Sequence, residues 1–188
     1  MWGDNFPPLE VELARSSHPR LLTPAFLDIC SPRIDRCWRY WDAKRQGRRM
    51  PSRADIDPTE IADLLPYIVL TEVLAVPPYL IYRLVGTKQV AVRGRDPTGL
   101  PVREHYIGHH EGETGDEVIL NYRLVIERAT PIYDYNPTTG PDDEDTSFST
   151  GPVRERGTLL LPLSNDDVSV NMVFCCADIV TAQYPKRL

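Results

Sequence analysis

Proline, more than any other residue here, limits what this chain can fold into. It fixes its own φ, offers no backbone N–H, and biases the residue before it away from helix. The 188 residues contain 18 prolines, about twice the usual share of about 5%. They are scattered, which argues against a collagen-like repeat or one long low-complexity tract and leaves short elements with prolines at the joints. Pro32 and Pro58 stand where helices can start, and Pro66 and Pro131 stand between helix and strand. Pro77 and Pro78 make a turn, while Pro137, Pro141 and Pro152 fall in an acidic loop. Pro162 lies late in an expected strand, which calls for an edge position, a bulge or an early strand end.

Between these joints the hydrophobic periods are clear. Residues 1–30 show no sustained period and read as an arm, loosely ordered or laid over the rest. Ser31 and Pro32 form a helix start; Ile34, Cys37, Trp38 and Trp41 then recur at helical spacing, and Gly47 offers a stop. Asp57-Pro58-Thr59-Glu60 is a second start signal, predicting a helix of about two turns that ends at Pro66. Tyr67–Val76 and Tyr79–Gly86 are β-branched and aromatic runs that read as a hairpin. Short helical pieces are expected from Thr87 to His110. A long helix follows from the capping sequence Thr114-Gly115-Asp116-Glu117, with Tyr122, Val125 and Ile126 on its apolar positions. Ile132–Tyr135, Arg154–Leu163 and Val168–Ile179 complete the pattern as strands, the last two joined by Ser164-Asn165-Asp166-Asp167.

The order predicts an α+β fold: five antiparallel strands, split two and three around a helical crossover, with helices on one face and an N-terminal amphipathic helix. The divisions are an arm (1–30), flanking helices (31–66), a core (67–180, with the acidic loop 136–152) and a tail (181–188). Such a fold encloses a cavity between helices and sheet. Tyr82, Leu84, Tyr122, Ile126 and Leu160 are the candidates to line it. The stripe of Ile34, Trp38 and Trp41 needs an apolar partner, either the chain's own sheet or the same helix of a second copy in a homodimer.

Composition excludes several classes. A net charge of −6 is wrong for a dedicated nucleic-acid binder. No apolar run reaches the roughly 18 to 20 residues of a membrane span, and the N-terminus lacks a signal-peptide layout, so a cytoplasmic location is expected. Cys30, Cys37, Cys175 and Cys176 have no metal-ligand spacing and read as buried hydrophobes, with Cys175 and Cys176 on opposite faces of a strand.

The chemistry-bearing groups have plain structural readings. His105 and His109 at i, i+4, with His110 and nearby glutamates, are weak candidates for a metal or haem, against a glycine-interrupted solvated loop. Asp96 and His105 form a conceivable acid–base pair for a small α+β enzyme, whereas Asp before Pro-Thr-Gly is also good turn chemistry. The basic run Lys44, Arg45, Arg48, Arg49 and Arg53 suits an anionic partner, or simply a helix C-terminus facing Asp55 and Asp57.

Longer segments carry a resemblance. WRYWDAKRQGRRMPSRADIDPTEIADLLPYIVLTEV, YRLVGT, GRDPTG, VIERATPIY and LLLPLSNDD, spread from Trp38 to Asp178, resemble a divergent PAS-domain family found mainly in alphaproteobacteria. The first segment is the most specific, and the acidic stretch Asp142–Asp145 departs from the pattern. The resemblance implies a PAS fold and a stand-alone sensory module that binds a small ligand or an unidentified signalling protein, without catalysis of its own. It transfers no catalytic or cofactor residue; no cofactor is expected, with haem or another small ligand as the alternative.

Overall fold

The computed structural model describes residues 6–16, 19–105, 115–135 and 153–181. The acidic loop, His109, His110 and the tail from residue 182 lie outside them. The described elements are α1 (Leu9–Arg15), β1 (Arg20–Leu21), α2 (Pro32–Arg45), β2 (Ile68–Val73), β3 (Leu80–Val85), α3 (Thr87–Arg93), α4 (Gly115–Arg128), β4 (Ile132–Tyr135), β5 (Val153–Leu163) and β6 (Met172–Thr181). The strands form one antiparallel sheet in the order β1-β4-β5-β6-β2-β3.

The five expected strands are all present, and the arm adds a sixth. Arg20 and Leu21 pair with Asp134 and Tyr133, so the arm is laid over the core. Its helix α1 packs on α4, where Glu12 meets Arg123 and Glu10 meets Arg128. This cover explains why α4 buries almost every side from Val118 to Val125, including Arg123.

The helices divide between the two faces of the sheet. Adjacent strand residues point to opposite sides. Cys175 touches the Tyr122 hydroxyl of α4, while its neighbour Cys176 meets Cys37 of α2. Thus α3 and α4 cover one face as expected, and the N-terminal helix α2 takes the other. Helical periodicity defines an apolar stripe but not the side of a sheet it will meet.

Ser31 caps α2 by accepting from the Ile34 N–H, and the helix closes through left-handed Gln46 and Gly47. Its stripe is spent inside this chain. Ile34, Cys37 and Trp41 are buried, and the Trp41 indole donates to the Pro162 carbonyl at 3.0 Å. That bond also resolves the awkward proline. A strand residue's N and O point the same way, so the ring nitrogen of Pro162 faces Trp41 and not β6. The pairing with β4 stops at Leu160, so no ladder bond is lost on that flank.

The two-turn helix expected after Asp57 is instead a pair of 3-10 turns, Pro58–Ile61 and Leu65–Tyr67, with Pro66 inside the second. Asp57 spends its carboxylate on the Thr59 N–H and hydroxyl, while Glu60 turns to Lys44 and does not reach back. These turns lie against the end of β3, where a Cβ on Gly86 would sit 2.4 Å from the Pro66 carbonyl oxygen. Glycine is needed there for close approach.

Candidate functional site

Between the sheet and α3/α4 lies a cavity lined by Val69 and Tyr82 from β2 and β3, Gln89 from α3, Val118, Asn121 and Tyr122 from α4, and Thr158, Leu160, Cys175 and Ala177 from β5 and β6. The period-2 pattern of the strands delivers Thr158 with Leu160, and Cys175 with Ala177, to one face. The space open to the centre of a water-sized sphere is about 20 Å³, and the unfilled space is about 410 Å³ when its opening to solvent is included.

No lining residue carries a formal charge at neutral pH, and its polar groups are mostly committed. The Tyr122 hydroxyl lies 2.9 Å from Thr71 Oγ1 and 3.6 Å from Cys175 Sγ. Burial pushes the Tyr122 phenol well above its ordinary pKa and the Cys175 thiol up to about 12, so both stay neutral. The Asn121 amide accepts from Arg20 and donates to Asp134. Arg20, with its side chain 5% exposed, also holds Glu117 at 2.7 Å and Ser16 at 2.7 Å. Gln89 differs. It is 1% exposed, and among the described residues neither Oε1 nor Nε2 of its amide has a hydrogen-bond partner.

Of the residues singled out from sequence, Tyr82, Tyr122 and Leu160 line this cavity; Leu84 and Ile126 lie half-buried against the core outside it. Gln89 and Asn121 carry the polar character and were not anticipated. Nothing in a short helix of mixed composition reveals which polar residue turns inward, although the strand register does group Thr158, Leu160, Cys175 and Ala177.

Of the two partners expected for the stripe of Ile34, Trp38 and Trp41, the chain's own face takes Ile34 and Trp41. Ile34 and Trp41 are buried in this chain's own core, and half-buried Trp38 stacks on Trp41 and meets Phe26 edge-on, both at 5.4 Å between ring centres.

Asp96 accepts from the Thr98 hydroxyl at 2.6 Å and the Thr98 N–H at 2.9 Å, bonds that hold its carboxyl below the ordinary range. No hydrogen bond or ion pair joins it to half-buried His105 among the described residues, so Asp96 is placed as a turn former. Nor do the described residues hold a group of three side chains able to bind a metal.

The basic run is tied into the fold. Lys44 pairs with Glu60, Arg45 with Asp42, and Arg48 with Asp55, while Arg53 donates to the Ile56 carbonyl. Asp55 caps Ser52 reciprocally; bonds from the Ser52 hydroxyl and N–H, then Arg48, lower its carboxyl to about 2. The same segment docks on the β5–β6 turn, where the Met50 N–H donates to Asp167 and the Ser164 N–H to the Pro51 carbonyl. The resemblance-bearing segments RRMPSRADIDP and LSNDD therefore meet as architecture.

A second space, of about 340 Å³, lies between the arm and α4, lined by Phe6, Glu12, Arg103, Asp116 and Glu117 among others. Most of its charges pair: Glu12 with Arg123, Arg103 with Asp116, Glu117 with Arg20.

The antiparallel sheet with helices packed on it, enclosing an uncharged cavity, defines an α+β fold. The comparison with known families agrees: residues 30–135, more than half of the chain, match the PAS domain, and the chain belongs to that family. PAS domains are generally sensory and signalling modules. The match ends at Tyr135, before β5 and β6. No curated protein and no solved structure matches the chain. No helix among the described residues is long and apolar enough to cross a membrane.

Proposed function

We propose that this PAS domain senses a small molecule held between the sheet and α3/α4, without catalysis of its own. The observation that carries the reading is the Gln89 amide, buried in the cavity wall with no partner for its donor or its acceptor. A buried polar group left in that state costs about 1–3 kcal/mol, so an occupant that bonds it is strongly favoured. The uncharged lining suits a neutral ligand, because an ion would lose its hydration with no opposite charge in the wall.

Asn121 supports a sensory role. It lines the cavity and also holds Arg20 of the arm and Asp134 of β4, so an occupant that shifts Asn121 bears directly on both. The relay to a signalling protein then runs through the arm.

The test is the full chain purified without denaturation, followed by native mass spectrometry and analysis of the denatured extract. The expected result is a bound small molecule that is absent from Ala177→Leu, in which the added side chain fills the cavity. A wild-type protein with no bound molecule, and no melting response to any member of a small-molecule panel, contradicts the reading.

A further inference from the structure

The chemistry of the wall selects the ligand further, on the reading that the cavity is a ligand site. Its hydroxyl and amide groups at Tyr122 and Asn121 already bond within the protein. Gln89 alone among the described lining residues presents both an unused donor, Nε2, and an unused acceptor, Oε1. These two atoms lie side by side on one planar group. A ketone satisfies only the donor and an ammonium ion only the acceptor, and a charged group meets no counter-charge in this lining. A planar group with an N–H beside a C=O satisfies both at once, through a pair of parallel hydrogen bonds.

We propose that the cavity recognises the amide edge of a neutral ligand, an N–H and a C=O on the same side of one planar unit, by two hydrogen bonds to the Gln89 side chain. The inner space of about 20 Å³ is near the size that holds one or two waters. It therefore admits the edge itself, while the rest of a larger molecule occupies the opening. Both open-chain primary amides and lactam rings offer this edge.

The test uses the full chain, with the Gln89 side-chain NH₂ resonance followed by NMR during titration with acetamide or 2-pyrrolidone. Acetone and cyclopentanone are controls of matched shape that accept but cannot donate. Saturable shifts are expected for at least one amide probe, with a midpoint of about 1 mM, the affinity available to a handful of heavy atoms. Relative response to acetamide and 2-pyrrolidone tells an open-chain ligand from a ring. Followed instead by the backbone amide resonances of the cavity wall in both proteins, the same probes should lose at least about tenfold in affinity for Gln89→Met, equivalent to about 1.4 kcal/mol, with the fold of the variant checked by its overall amide spectrum. Equal binding of the ketones, or undiminished binding to Gln89→Met, overturns the amide-edge inference while leaving the cavity as a ligand site. No saturable response from any of the four probes overturns the amide-edge inference, and the ligand reading itself then falls if the purified chain also carries no molecule.

Discussion

Replacing Gln89 by methionine should make the ligand-free protein more stable and less able to bind. The two side chains have nearly the same length and similar helix propensity, so α3 is left intact. In the ligand-free state the Gln89 amide is 1% exposed and its two polar atoms lack partners among the described residues. Each such atom carries a penalty of about 1–3 kcal/mol, and a loosely held water recovers part of it. Removing both atoms should therefore raise the unfolding free energy by about 2 kcal/mol. For a chain of this size that corresponds to a rise of about 4–8 °C in Tm. Urea titration with fluorescence and circular dichroism measures it, and the slope m should stay unchanged while the midpoint rises. Gln89→Met with a midpoint below wild type would refute the reasoning, because it would mean that the fold already satisfies the amide.

Three further outcomes follow from the geometry. Trp41→Phe removes the indole bond to the Pro162 carbonyl and part of a buried side chain; it should lower stability by about 2–3 kcal/mol in urea unfolding and leave the mass measured by light scattering unchanged. Arg20→Met strips Glu117 and Asn121 of their guanidinium partner, so hydrogen exchange should accelerate in α1 and β1 with little change in β5 and β6; equal exchange throughout would contradict the arm's role. Asp55 and Asp166 are each lowered to about 2, the first chiefly by Ser52 and the second chiefly by the Ser169 and Val168 N–H groups. Carboxyls depressed in the folded state contribute stability above their unfolded pKa of about 4 and lose it as pH falls towards 2. The double variant Asp55→Asn, Asp166→Asn should thus show a shallower fall of stability over that window, and an unchanged pH profile would contradict it.

What could be read from the residues alone follows a physical line. The strands and α2 were legible because their apolar periods are long and bounded by proline, serine or glycine, as at Ser31-Pro32 and Pro77-Pro78. The side of the sheet taken by α2 was not, since the stripe of Ile34, Cys37 and Trp41 fits either a second copy or the chain's own face. Nor was β1: two residues, Arg20 and Leu21, are too few to show a period, and they pair because the arm's ion pairs hold them against β4. The Asp57-Pro58 signal marked a helical start correctly but could not give its length, because Asp57 closed a local turn on Thr59 and Glu60 was drawn to Lys44. In the cavity, Tyr82, Tyr122 and Leu160 were legible as inward positions of elements with a clear apolar period. Gln89 was not, since its meaning depends on what fails to reach it.

The segments of strongest resemblance also change meaning in three dimensions. The basic run Lys44, Arg45, Arg48, Arg49 and Arg53 suited either an anionic partner or a helix C-terminus facing nearby acids. Lys44, Arg45, Arg48 and Arg53 meet Glu60, Asp42, Asp55 and the Ile56 carbonyl, and Met50 within RRMPSRADIDP is buried beside the β5–β6 turn. The distinctive sequence thus secures the flank of the sheet, and the cavity proposed to hold a ligand is lined by less distinctive residues across it.

The most direct measurement is electron density at Gln89 in a high-resolution crystal structure of the full chain, purified without denaturation. The account predicts a non-water molecule whose N–H and C=O lie within hydrogen-bond distance of Oε1 and Nε2 respectively. A cavity that is empty, or that holds only a water there, would contradict it.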